Sequence, residues 1–237
     1  MTAFFLIGTL TQSLSKKRYI YMKINIKIPT SLKDITLRQY KKFLKIQDTV
    51  KDSRFLNAKM IEILCNVRLE DVMLLKLSDS QEIISILTTL FEEKPALITR
   101  FELNKVDYGF HPELDEMTLG EYIDLDTFIG DWDNMEKAMN VLYRPVIVKL
   151  KSKYNIEEYR LGTEGVLLDM PMDAVMSSIF FFWNLGLELS KTMTNSLDNK
   201  ETEILTQYLN SQKNGVGINQ FMDSLQGTLH DLKISLN

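Results

Sequence analysis

Apolar positions along this chain change period several times, and each change marks an element. Lys23 to Ile28 alternates, with Ile24, Ile26 and Ile28 on one face, which predicts a strand ended by Pro29. Ile35-Thr36-x-x-Gln39-Tyr40 then predicts a helix start. Thr36 caps the amide of Gln39, the Gln39 side chain returns to the Thr36 amide, and Ile35 staples onto Tyr40. The same signature recurs from Met117 to Tyr122, with Thr118 as the cap and Glu121 as the returning carboxylate. The flanks of ITLRQY and MTLGEY do not continue the match, which favours two independent capping boxes over a duplicated unit.

Between the boxes the helical period dominates. Leu56, Met60, Ile63, Leu64 and Val67 form a core-facing stripe over 55–67, and a shorter helical piece covers 69–77. Asp79 and Glu82 stand at the expected start of a helix over 79–93 that stops before Pro95. Over 98–110 the helical period breaks, and two apolar-rich runs flank Asn104-Lys105, which predicts a β-hairpin. The strand at 23–28 is expected to join it as a third strand, since two strands alone make a marginal sheet. Trp132 to Tyr143 predicts a helix carrying Met135, Ala138, Met139, Leu142 and Tyr143 on one stripe and ended by Pro145, and Val146 to Gly165 reads as a loop or ragged hairpin. Pro171 opens the most apolar helix, in which Ile179, Phe180, Phe181, Phe182 and Trp183 are consecutive and Leu187 follows. A helix apolar on every side must be covered, either within the domain or by a partner.

The expected fold is α+β and predominantly α-helical, a helical bundle with a small antiparallel sheet or hairpin. Residues 1–21 are expected to be a flexible arm or to come from an upstream start, because Met22 opens a natural beginning, MKINIKIP. Residues 22–197 form the mainly helical domain, with its hairpin near 98–110. Residues 198–237 read as amphipathic helices hinged at Gly215 and Gly217.

Composition narrows the function classes. Net charge is -4 and the basic clusters, Lys16 to Arg18 and Lys149 to Lys153, are short, so phosphate neutralisation by a basic face is not expected and no nucleic-acid partner is implied. The apolar run over 3–10 has its positive charges behind it, the wrong order for a secretory signal, and is too short to span a bilayer, so no membrane partner is implied. Cys65 has no second cysteine to pair with and suits a reducing compartment. Two histidines and one cysteine give no zinc spacing, and no cofactor is expected.

The segment from Glu113 to Glu136 holds nine carboxylates and no Lys or Arg, while Leu119, Tyr122, Ile123, Leu125, Phe128, Ile129 and Trp132 supply an apolar face. Asp124-x-Asp126 and Asp131-x-Asp133 lack calcium-loop spacing, and residues two apart on a helix point away from each other. His111, before Pro112 and near Asp115 and Glu116, is expected in a surface turn. No P-loop, GxSxG or GxGxxG occurs, so no catalytic residue is assigned and the chain is not expected to be an enzyme.

FHPELDEMTLGEYIDLDTFIGDWDNMEKAMNVLYRPV, IPTSLKDITLRQYKKFLKI and MPMDAVMSSIFFFWNLGLELSKT together resemble a family of small proteins from the structural gene modules of tailed bacteriophages, akin to tail-assembly-chaperone-like proteins. The resemblance spans about 22–197. It implies a non-enzymatic protein of tail or virion assembly, in the host cytoplasm, whose partners are phage tail proteins such as the tape measure or tube protein, with self-association into a homo-oligomer also open. The apolar helix is where partner binding is expected, on Ile179, Phe180, Phe181, Phe182, Trp183 and Leu187. A structural virion subunit (connector, baseplate or capsid-associated) is the competing class, and a host-directed or enzymatic accessory protein is the third.

Overall fold

The computed structural model describes residues 2–10, 19–150 and 153–196. The fold is α+β and predominantly helical, with a small four-stranded antiparallel sheet. Two compact units divide between Glu93 and Lys94, within the segment expected to form one domain.

The first unit opens with β1 (Thr2–Leu10) and β2 (Tyr19–Lys27), which pair antiparallel from Thr2 opposite Lys27 to Leu10 opposite Tyr19. Part of the expected arm is therefore a strand, and β2 pairs with it rather than with the hairpin near 98–110. Helices α1 (Leu37–Gln47), α2 (Ser53–Leu64), α3 (Leu69–Val72) and α4 (Leu77–Glu92) follow. Helix α4 begins two residues before Asp79, at an N-cap Lys76 that makes no side-chain cap bond. The core of this unit collects Ile26, Leu37, Tyr40, Phe43, Ile61 and Leu87. Tyr40 packs its ring 5.2 Å from that of Phe91.

The second unit carries the sheet, β3 (Arg100–Leu103), β4 (Val106–Phe110), β5 (Tyr143–Leu150) and β6 (Lys153–Ile156), in that spatial order. The third strand that stabilises the β3–β4 hairpin is thus β5. The hairpin turns at Asn104 and Lys105, both with positive φ (52° and 65°), the two left-handed residues that a tight primed turn requires. Gly109 in β4 lies under Tyr154 of β6, and a Cβ there would come within 2.9 Å of Val146 Cγ2, so this position admits only hydrogen. The Tyr154 hydroxyl crosses the sheet to donate to the Phe110 carbonyl at 2.7 Å.

Helices α5 (Leu119–Phe128), α6 (Met135–Leu142) and α7 (Met172–Ser196) complete the unit. Helix α6 is shorter than the helix expected over 132–143: it starts at Met135 and gives way to β5 at Tyr143, so Pro145 lies in a strand rather than ending the helix. The buried Tyr143 hydroxyl donates to the carbonyls of Ile98 and Ala174 at 2.8 and 3.3 Å. That residue ties the chain before β3 to α7. Among the described residues, no helix is long and apolar enough to cross a membrane. The expected C-terminal helices and their glycine hinge lie outside the described residues, as does the Lys16 to Arg18 cluster.

Candidate functional site

Helix α7 changes character along its length. From Met172 to Ile179 every residue except the half-buried Asp173 is buried. Beyond Ile179 one side opens: Phe182 and Gly186 stay buried, Phe180, Phe181 and Trp183 are half-buried, and Asn184, Leu185 and Glu188 are exposed. Of the six apolar residues expected to bind a partner, Ile179 and Phe182 belong to the core, while Phe180, Phe181 and Trp183 present part of their surface to solvent. The side chain of Leu187 is outside the described residues. Phe181 is anchored edge-on against Phe110 and Phe182, with ring centroids 5.7 and 5.2 Å apart. The helix therefore offers a half-covered aromatic ridge whose inner side is packed against the core.

Both capping boxes form. Thr36 accepts from the Gln39 amide at 3.2 Å while Gln39 Oε1 accepts from the Thr36 amide at 2.9 Å. Thr118 accepts from the Glu121 amide at 3.3 Å and Glu121 Oε2 accepts from the Thr118 amide and hydroxyl, each at 2.8 Å. Each returning side chain has a second task that no local pattern announces. Gln39 Nε2 donates to the Ile63 carbonyl at 2.9 Å, locking α1 to α2. Glu121 Oε1 meets Arg144 Nη1 of β5 at 2.8 Å, locking α5 to the sheet.

The Glu121–Arg144 pair is the centre of a buried polar cluster. His111 Nε2 stands 4.0 Å from the same carboxylate oxygen, so His111 faces inward to Glu121 rather than occupying the expected surface turn beside Asp115 and Glu116. The Arg144 guanidinium lies 6.0 Å over the Tyr159 ring, and the Tyr159 hydroxyl donates to Asp124 Oδ2 at 2.7 Å. Burial alone raises the Glu121 carboxyl, but the Thr118 donors and the Arg144 guanidinium outweigh it and hold it below its ordinary range. Burial, reinforced by the Arg144 charge, lowers the His111 imidazole, leaving it neutral at pH 7. Burial likewise pushes the Tyr159 phenol up, helped by its bond to Asp124.

Both oxygens of the Glu121 carboxylate are engaged, one by Arg144 and the other by Thr118. The adjoining pocket, lined by Tyr108, Asn140, Arg144, Arg160 and Thr163, holds about 70 Å³. Asn140, whose amide donates to the Arg160 carbonyl at 2.9 Å, closes that pocket from the α6 side. In the first unit a wider cleft of about 520 Å³ is lined by Asn25, Lys27, Asp34, Gln39 and Cys65. There burial pushes the Cys65 thiol up to about 12, which removes it as a nucleophile at neutral pH. Among the described residues no group of three or more His, Cys, Asp or Glu is placed to hold a metal ion.

The acidic segment departs from its expected apolar face. Leu125 and Ile129 are buried, but Leu119, Tyr122 and Ile123 are exposed on the outer side of α5. The matching residues of the first box behave oppositely: Leu37 is 0% exposed against 74% for Leu119, and Tyr40 is 1% exposed against 45% for Tyr122.

Comparison with known protein families, with characterised proteins and with solved structures finds no match to this chain.

Proposed function

We propose that this chain is a non-enzymatic assembly protein of the tailed-phage type, a tail assembly chaperone that shields apolar segments of a tail protein such as the tape measure before assembly. One observation carries the reading: α7 leaves the core at Phe180 and exposes one side of its aromatic run while the other stays packed. A half-covered ridge of Phe180, Phe181, Trp183 and Leu185 matches the helix-in-groove mode, in which apolar side chains of one helix seat against another. The surrounding chemistry supports binding over catalysis, because the polar cluster around Glu121 is internally satisfied in its carboxylate and adjoins a pocket far smaller than ordinary ligand sites of about 300 Å³ and more.

The chaperone acts by occupancy. Covering apolar surface on a client removes it from water at about 25 cal/mol per Å², and release follows when tube subunits compete for the same surface. Quantitative mass spectrometry of purified particles beside the lysate of the producing cells tests this reading. The chaperone is present in the lysate and absent from particles. A fixed copy number per particle contradicts it and assigns the chain to the structural subunits.

A further inference from the structure

Helix α5 combines little apolar burial with two polar clasps. Over Leu119–Phe128 and the C-cap Ile129, the buried apolar side chains are Leu125 and Ile129, while Leu119, Tyr122 and Ile123 are exposed. Phe128 is half-buried, with Lys137 Nζ of α6 5.0 Å from its ring centre. The clasps are side-chain bonds to residues distant in the chain. Glu121 Oε1 meets Arg144 Nη1 of β5 at 2.8 Å, and Asp124 Oδ2 accepts from the Tyr159 hydroxyl, 35 residues away, at 2.7 Å. A helix with few buried apolar side chains lies at the low-stability end of a fold, where elements open separately from the core.

His111 sits at the first clasp. Its Nε2 stands 4.0 Å from the carboxylate oxygen that Arg144 already occupies, and the side chains of His111, Glu121 and Arg144 are 9%, 5% and 7% exposed. Among the described residues the charged groups acting on it are Glu121 of α5, Arg144 of β5 and Glu113 of its own segment, and from α6 the Leu142 carbonyl takes its backbone amide at 2.7 Å. Glu113 is exposed and screened by water, so a proton on the imidazole leaves one buried carboxylate to serve two buried cations. Burial and the Arg144 charge both oppose that proton in the closed arrangement, whereas an opened one takes it at the ordinary imidazole value of about 6.5. Acid below that value therefore favours opening. We propose that α5 is a pH-released element: a proton on His111 upsets the Glu121–Arg144 clasp, and α5 detaches from the sheet while β4, β5 and the start of α7 stay folded. This release does not depend on the client reading given to α7.

Native-state hydrogen exchange of the full chain at pH 7.5 and pH 5.5, corrected for intrinsic exchange rates, is the test. Amides from Tyr122 to Phe128 are expected to show less protection than those of β4 and β5 at either pH. Their protection falls severalfold from pH 7.5 to pH 5.5, and by no more than about tenfold, the limit for one proton taken up at about 6.5. His111→Gln flattens this response, with His111→Asn as the second variant should the first fold poorly. Tyr159→Phe, which removes the bond to Asp124, lowers the protection of α5 at both pH values and keeps the response. Protection in α5 equal to that of β4 and β5, protection that acid leaves unchanged, or a pH response that survives in both His111 variants overturns the proposal.

Discussion

Arg144 Nη1 lies 2.8 Å from Glu121 Oε1, with the two side chains only 7% and 5% exposed, so a helix-capping carboxylate also neutralises a buried guanidinium from the neighbouring sheet. A helix and a strand 23 residues apart in sequence are joined through this one carboxylate oxygen and one guanidinium nitrogen. The other oxygen of Glu121 is held by Thr118.

This double role separates capping from charge pairing. Glu121→Gln keeps a side-chain oxygen to accept from Thr118, as Gln39 does in the first box, but leaves Arg144 buried without its counter-charge. Breaking a buried pair from one side costs about 3–5 kcal/mol, whereas an apolar replacement of both partners is often neutral. Urea unfolding is therefore expected to show a large loss for Glu121→Gln and recovery of most of it in Glu121→Leu/Arg144→Met. An equal loss in the single and double variants contradicts the pairing role.

His111 gives the cluster a pH dependence. Its folded pKa is lowered from the ordinary imidazole value of about 6.5, so its contribution to stability is complete above that value and is lost as pH falls through the folded pKa. Glu121 is also lowered, and its contribution disappears further down, below the ordinary carboxylate range of about 4.3. Thermal unfolding followed from pH 8 to pH 3 is expected to show two descending steps. His111→Gln removes the upper step and leaves the lower, and an unchanged profile in that variant excludes His111 as its source.

The hairpin turn offers a stabilising change. Lys105 holds a φ of 65°, a left-handed conformation that costs a side-chain-bearing residue about 1 kcal/mol and glycine almost nothing. Lys105→Gly creates the favoured Asn-Gly turn and is expected to raise stability by about 0.5–1 kcal/mol. A lower denaturation midpoint contradicts the assigned turn.

Local signals in this sequence were legible because their physics is local. Thr36, Gln39, Thr118 and Glu121 form their capping boxes within four residues of chain, and Asn104 marks the hairpin for the same reason. The partner of β2 was not legible, since the pairing of Tyr19–Lys27 with Thr2–Leu10 rather than with β3–β4 depends on which strand reaches it. Arg144 likewise gives no sign in its YRPV context that it will lie against Glu121 across 23 residues of chain. The two boxes show the limit most plainly. LRQY and LGEY share a pattern, yet Leu37 and Tyr40 are core while Leu119 and Tyr122 are surface, because periodicity defines a face and only tertiary packing decides whether anything covers it.

Trp183 reports directly on the half-covered ridge of α7. In a Trp132→Phe background, Trp183 is the single indole of the chain, and its emission is followed while an apolar helical segment of a tape-measure protein is added to the full chain. A blue shift and protection from aqueous quencher that saturate with the segment are expected, both abolished by Phe180→Asp in a variant that keeps its wild-type unfolding midpoint. Emission that does not change while the segment binds, or binding that Phe180→Asp leaves intact, contradicts the ridge as the binding surface.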